Sequence, residues 1–249
     1  MPDLQQNYSA WNEIHPWDQQ GEEWSEAWGS SEAQWHFAIH PRLHRYLPAA
    51  HILEIAPGHG RWTQYLLRYC DRLSAVDLSD KCIQVCRQRF ASATNLALHV
   101  NDGLHLDMIA DGTCDLVFTF DSLVHAELDV IEAYLRQFAG KLTPNGVVFL
   151  HHSNLKESPG LAAQAPHSSS HWRAPSVSAA DVRRIATESG LACVSQEKIN
   201  WGVPECIDCL TVLTRPDSRH AQPLRVLENH SFLEEAALIK RCAPLYGRA

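Results

Sequence analysis

The chain has 249 residues, 45% hydrophobic and 20% charged, which excludes a disordered chain and supplies enough material for one α/β domain with extensions. Its formal net charge of -8, with no cluster of Lys and Arg, argues against a nucleic-acid partner, because such binders displace counterions with a basic surface. No apolar run reaches the roughly 18 residues of a membrane span, and no secretory signal opens the chain. A cytoplasmic protein without membrane contact is therefore expected, with its eight cysteines reduced.

Three regions are expected. Residues 1–47 form an aromatic-rich helical extension, 48–214 an alternation of strands and helices, and 215–249 a polar link followed by a helix near Phe232 to Ile239. The first region holds Trp11, Trp17, Trp24, Trp28 and Trp35, five of the eight tryptophans. Most of these rings are expected to pack the extension onto the core, since large aromatics mainly contribute buried area. Tyr8 and Trp11 are instead candidates for a lid over a ligand. Ser31 and Gln34 have capping-box spacing for a helix running toward Pro41. His36, His40 and His44 recur at helical spacing, but Pro41 interrupts them and no carboxylate joins them, so no metal is expected there.

The second region opens with a strand over His51 to Ala56, stopped by Pro57-Gly58. A helix follows over 61–69, then a strand over Leu73 to Asp77 and a helix over Asp80 to Phe90. Leu96 to Val100 and Asp115 to Phe120 read as strands, the latter nearly all apolar, as suits a strand covered on both faces. Leu128 to Ala139 is a helix, Leu142 to Gly146 a turn, and Val147 to Leu150 a strand. Ser178 caps a helix to Glu188. Leu191 to Ile199 and Cys209 to Leu213 make two final strands with no helix between them. These elements predict a Rossmann-like, doubly wound α/β sheet of seven strands, mostly parallel with an antiparallel edge. Cys206 and Cys209 have CxxC spacing but no second pair, so core packing is expected over zinc.

Chemistry-bearing residues gather at the strand ends, where such sheets bind ligands. Gly58 and Gly60 allow a tight turn and close ligand approach before a helix N-terminus. Asp77 closes the second strand and can accept bonds from two ribose hydroxyls. Asp102 and Gly103 follow the third strand, and Asp121 follows the fourth. Glu54 lies inside the first strand and needs a partner. Arg61 follows the glycine loop with a guanidinium suited to a carboxylate.

In this order, Glu54…Gly58-x-Gly60, Asp77, Asp102, Asp115-Leu-Val-Phe and Leu142-Thr-Pro-Asn-Gly146 resemble the class I S-adenosylmethionine-dependent methyltransferases of small-molecule type, over about residues 50 to 214. The resemblance implies S-adenosylmethionine as cofactor, with the glycine loop facing its methionyl part, Asp77 at the ribose and Asp102 at the adenine; Leu78 and Gly103 beside them are further candidates for binding it. Ala56 stands where the family often has glycine. The stretch from Trp28 to Trp35 is similar to N-terminal segments of methyltransferases associated with sugar and natural-product pathways. A nicotinamide dehydrogenase would show a fuller run of glycines than Gly58-x-Gly60.

The expected reaction moves a methyl group to a small-molecule hydroxyl or amine. His125 or His152 is the candidate base and Asn154 the residue that orients the nucleophile. An alternative in the same fold closes the cofactor's amine onto its own γ-carbon, giving azetidine-2-carboxylate and methylthioadenosine. A second alternative is a non-catalytic binding module. Oligomeric state is not legible in the sequence.

Overall fold

The structure, a computed structural model, describes residues 3–164 and 173–246. The sequence also offers a low-complexity tract at Ser168-Ser169-Ser170 and acceptor-side polar residues at His171-Trp172-Arg173; of these, Arg173 alone is among the described residues. Strands β1 (Ala49–Ile55), β2 (Cys70–Asp77), β3 (Leu96–Val100), β4 (Cys114–Thr119), β5 (Leu142–Ser153), β6 (Ala192–Ile199), β7 (Asp208–Thr214) and β8 (Arg225–Asn229) form an 8-stranded sheet in the order β3-β2-β1-β4-β5-β7-β6-β8. β7 runs antiparallel to both β5 and β6, and the other pairs are parallel.

Two expectations change. β8 makes the sheet one strand larger than expected, because residues 225–229 of the supposed polar link pair with β6. Their exposed, charge-bearing pattern carries no periodic signal of burial. The segment Leu142-Thr-Pro-Asn-Gly146 belongs to β5 rather than to a separate turn, with a register shift absorbing its irregularity opposite Cys114 and Leu116.

The chain reverses direction of winding between β1 and β4, and the crevice at this switch lies beyond the carboxyl ends of β1, β2 and β4. One face of the sheet is covered by helices Leu128–Lys141 and Ala179–Glu188, which bury Ile131, Leu135, Phe138, Val182 and Ile185. The opposite face is covered by the N-terminal segment and helix Phe232–Tyr246. There Trp35 is fully buried and stacks on Tyr65, and Trp28 packs edge-on against Phe232. These two tryptophans are core, as area burial predicts. The helix near Ser31 begins one residue earlier than its spacing suggests: Ser30 accepts the Ala33 N–H, while the Ser31 hydroxyl is buried against Tyr65. Among the described residues no helix is long and apolar enough to cross a membrane.

Gly60 holds the glycine loop against helix Asp80–Arg89. Its φ is 85°, and a Cβ there would lie 2.4 Å from Cε2 of Phe90. Gly60→Ala is therefore expected to cost roughly 1–3 kcal/mol through left-handed strain and overpacking. A urea titration followed by circular dichroism checks this; an unchanged midpoint would contradict the packing role.

Candidate active site

The crevice holds a cavity of about 180 Å³ whose walls include Ala56, Gly58, Asp77, Leu78 and Gly103 from the strand ends. Its roof is the N-terminal segment. Leu4 packs so closely on Gly103 that a Cβ there would lie 2.7 Å from its Cδ2, and Trp17 sits at the same distance from a Cβ on Gly58. Glycine is needed at both positions because the roof rests on bare backbone. Polar bonds fasten it: Tyr8 donates to Asp80, the Asn12 side-chain oxygen accepts from Ser79 Oγ and Lys81 N, and Asn7 Nδ2 donates to the carbonyl of His125. A row of rings links His59, Trp17, His15, Trp11 and His125, with successive centroids 4.3, 4.8, 5.4 and 5.4 Å apart.

Asp77 ends β2 with its carboxylate accepting from Gly58 N at 3.0 Å and Ser79 N at 2.8 Å. Each oxygen keeps a lone pair for a further donor. Burial pushes this carboxyl up to about 6, against the pull of the Ser79 and Gly58 N–H groups. Glu54 lies beneath the loop. Thr63 donates to its Oε2, Oε1 has no partner among the described residues, and burial pushes its carboxyl up to about 8. Ala56 has a φ of 54°, a left-handed conformation that costs a non-glycine residue roughly 1–2 kcal/mol. This is the position where the resembled family often has glycine.

Beyond β4 the cavity meets a buried charged network. Arg61 Nη2 donates to Asp121 at 2.8 Å, and Arg173 approaches the other oxygen of Asp121 at 3.8 Å. Arg173 donates from Nε and Nη2 to Asp208, which is fully buried on β7. His151 completes the set: its Nδ1 accepts the Asp121 N–H, so its Nε2 carries the hydrogen facing Asp208 at 3.2 Å. Burial alone would raise the Asp208 carboxyl, but the Arg173 charge and the His151 hydrogen bond hold it well below the usual range.

The structure brings together on this cavity Gly58, Arg61, Asp77, Leu78, Gly103, Asp121, Tyr8, Trp11 and His125. Other candidates stand elsewhere. Gly60 faces Phe90 and Glu54 lies under the loop. The Asp102 carboxylate is turned to solvent, where it accepts from the Leu104 and His105 N–H groups and pairs with the His105 ring. A short polar side chain after a strand readily satisfies its own turn in this way. Burial pushes the His152 imidazole down to about 4, and its Nε2 meets Thr211 on the opposite side of β5 from His151. Asn154 is used by the backbone: its oxygen accepts from Ala179 N and its amide donates to the Cys206 carbonyl. Strand alternation takes His152 off the cavity, and capping takes Asn154.

Sequence reasoning grouped Arg173 with the acceptor side without giving it a role, and it missed Trp17, Trp201 and the role of Asp208. The last carried a signal, since a carboxylate in the apolar run Ile207 to Leu213 demands a buried partner. Among the described residues no three His, Cys, Asp or Glu side chains converge as metal ligands.

Residues 52–146 match the family model described as a methyltransferase domain. By that match residues 52–146 carry a methyltransferase domain, and the fold around it is one shared with S-adenosylmethionine-dependent methyltransferases. A ribosomal RNA small subunit methyltransferase A from Synechococcus elongatus is 44% identical over 63 residues, which is 25% of this chain and 23% of that protein. The chain thus spans about a quarter of that curated relative. Among solved structures, an S-adenosylmethionine-dependent methyltransferase from Clostridium acetobutylicum is similar with a TM-score of 0.61 at 15% identity, covering 78% of this chain and 96% of that one. The N-methyltransferase NodS from Bradyrhizobium japonicum, in complex with S-adenosyl-L-homocysteine, is similar with a TM-score of 0.54 at 18% identity, covering 80% and 100%.

The cofactor of this methyltransferase class, S-adenosylmethionine, fits the cavity chemically. The open lone pairs of Asp77 suit a vicinal diol, and the tryptophans of the roof suit a sulfonium, which aromatic faces attract.

Proposed function

We propose that this methyltransferase moves a methyl group from S-adenosylmethionine to a small molecule enclosed in the cavity, with a hydroxyl or amine as the receiving group. The observation that carries this reading is the roof: residues 4 to 24 close over the strand ends and leave a chamber sized for small ligands. The net charge of -8 also argues against the RNA substrate named for the partial relatives.

S-adenosylmethionine, when bound, supplies an electrophilic methyl carbon on its sulfonium. Asp77 binds the ribose hydroxyls, with Leu78 and Gly103 against the nucleoside. Arg61 pairs with the methionyl carboxylate. Tyr8 and Trp11 hold the roof shut and exclude water, which competes as a nucleophile. Asp121 and Arg61 fix one another beside the reacting centre, and alignment of this kind supplies much of the rate of an in-line displacement. His125, at the join of roof and cavity, takes the proton of the acceptor's hydroxyl or amine.

Incubating the protein with S-adenosylmethionine, with and without a small-molecule extract, tests the reaction. S-adenosylhomocysteine that forms only with the extract is expected. Methylthioadenosine formed from cofactor alone would mean cyclisation to azetidine-2-carboxylate instead, and absence of cofactor binding would mean a non-catalytic module. With an acceptor in hand, His125→Ala is expected to lower kcat by roughly 10²–10⁴-fold while S-adenosylhomocysteine affinity holds. An unchanged kcat would remove His125 as the base.

A further inference from the structure

We propose that the Arg173 end of the cavity is a subsite for an oxyanion, a carboxylate or phosphate group carried by the acceptor itself. This rests on the reading of the cavity as a methyl-transfer chamber. Two guanidinium groups, of Arg61 and Arg173, flank one cavity-facing carboxylate, that of Asp121. Asp208 neutralises Arg173 from behind, fully buried and away from the cavity wall. The network is balanced in charge as a whole, but both of its guanidiniums face the cavity while one of its two carboxylates stands behind them.

Both guanidiniums keep an edge for a ligand. Arg173 commits Nε and Nη2 to Asp208, and its Nη1 has no partner among the described residues. Arg61 uses Nη2 for Asp121 and Nη1 for Ser25, leaving Nε without a partner among the described residues. Each group is fixed on an indole, Arg61 at 4.5 Å from the Trp62 ring and Arg173 at 5.1 Å from that of Trp201. A planar fork held rigid in this way is suited to oxyanions. An ammonium acceptor would meet only donors along these two edges, and an apolar acceptor would leave their N–H groups unanswered in a site shielded from water. With Arg61 assigned to the cofactor's carboxylate, Arg173 is the group left for the acceptor. Trp201 and Phe120 beside it provide flat apolar walls.

Calorimetry on the protein loaded with S-adenosylhomocysteine tests the subsite with benzoate and phenyl phosphate as anions, and benzamide and phenol as neutral counterparts. At least one anion is expected to bind about ten-fold more tightly than its counterpart, and which one does so separates carboxylate from phosphate. Arg173→Lys keeps the charge opposite Asp208 but loses the fork, and should weaken that anion about ten-fold while S-adenosylhomocysteine affinity stays unchanged. The double variant Arg173→Met with Asp208→Asn removes both buried charges together and should behave alike if the lysine variant folds poorly. Equal binding of anions and neutral counterparts would overturn the proposal. So would a loss of S-adenosylhomocysteine affinity in Arg173→Lys as large as in Arg61→Lys, which would make Arg173 a cofactor ligand. Failure of the unaltered protein to bind S-adenosylhomocysteine at all would overturn the methyl-transfer reading, and the subsite with it.

Discussion

Asp208→Ala should destabilise the fold by about 3–5 kcal/mol, the cost of leaving a buried ion without its partner. Asp208 accepts two bonds from Arg173 within hydrogen-bonding distance at one oxygen and a third at the other, and it faces the hydrogen on His151 Nε2. Its loss leaves a buried guanidinium whose remaining anion, Asp121, is 3.8 Å away and already bonded to Arg61. Removing Arg173 alone strands the carboxylate in the same way. The double change Arg173→Met with Asp208→Leu should recover much of the loss, because a packed apolar pair carries no desolvation penalty. Urea unfolding of the two single variants and the double variant reads this directly. Additive losses would show that the two groups do not act as a pair.

The same network shows what a sequence can and cannot disclose. Glycines, apolar strand runs and acids at strand ends are local signals, so the sheet, the places of Gly58 and Asp77 at strand ends and the capping role of Ser178 were legible from spacing alone, whereas the strand order was not. The helix–strand alternation fixed which ends would converge, because parallel strands with crossovers put their carboxyl ends on one side. Side-chain direction was less accessible. His151 and His152 are adjacent and chemically identical, yet only His151 faces the charged network, and one residue of register decides it. Asp102 had the expected position after β3, but its own turn captures the carboxylate. Arg173 and Asp208 are distant in sequence, and no local pattern joins them. β8 was missed because an exposed edge strand has little burial to leave a periodic trace.

Asp77→Ala should weaken binding of S-adenosylmethionine or S-adenosylhomocysteine by about 1.5–3 kcal/mol, roughly ten- to hundred-fold, since hydrogen bonds to a charged acceptor contribute this much. The pH dependence gives a sharper test than the amplitude. Burial raises the Asp77 carboxyl to about 6, so the charged form that hydroxyls prefer prevails only above that pH. Protons and ligand then compete: affinity should be level above pH 6 and fall by up to about ten-fold for each unit below it, and Asp77→Ala should lose that slope. Stability runs the other way. The folded carboxyl takes up a proton more readily than the unfolded one, whose ordinary value is 3.8. The protonated group therefore favours the fold at low pH, and this contribution is lost as pH rises from about 4 through 6. A weakening of the cofactor on acidification while the Asp77 contribution to folding improves is the signature of a carboxylate kept buried for a ligand. Calorimetric titrations of the unaltered protein and Asp77→Ala between pH 5 and 8 would reveal it, and parallel pH profiles for the two would exclude Asp77 as the ribose-binding group.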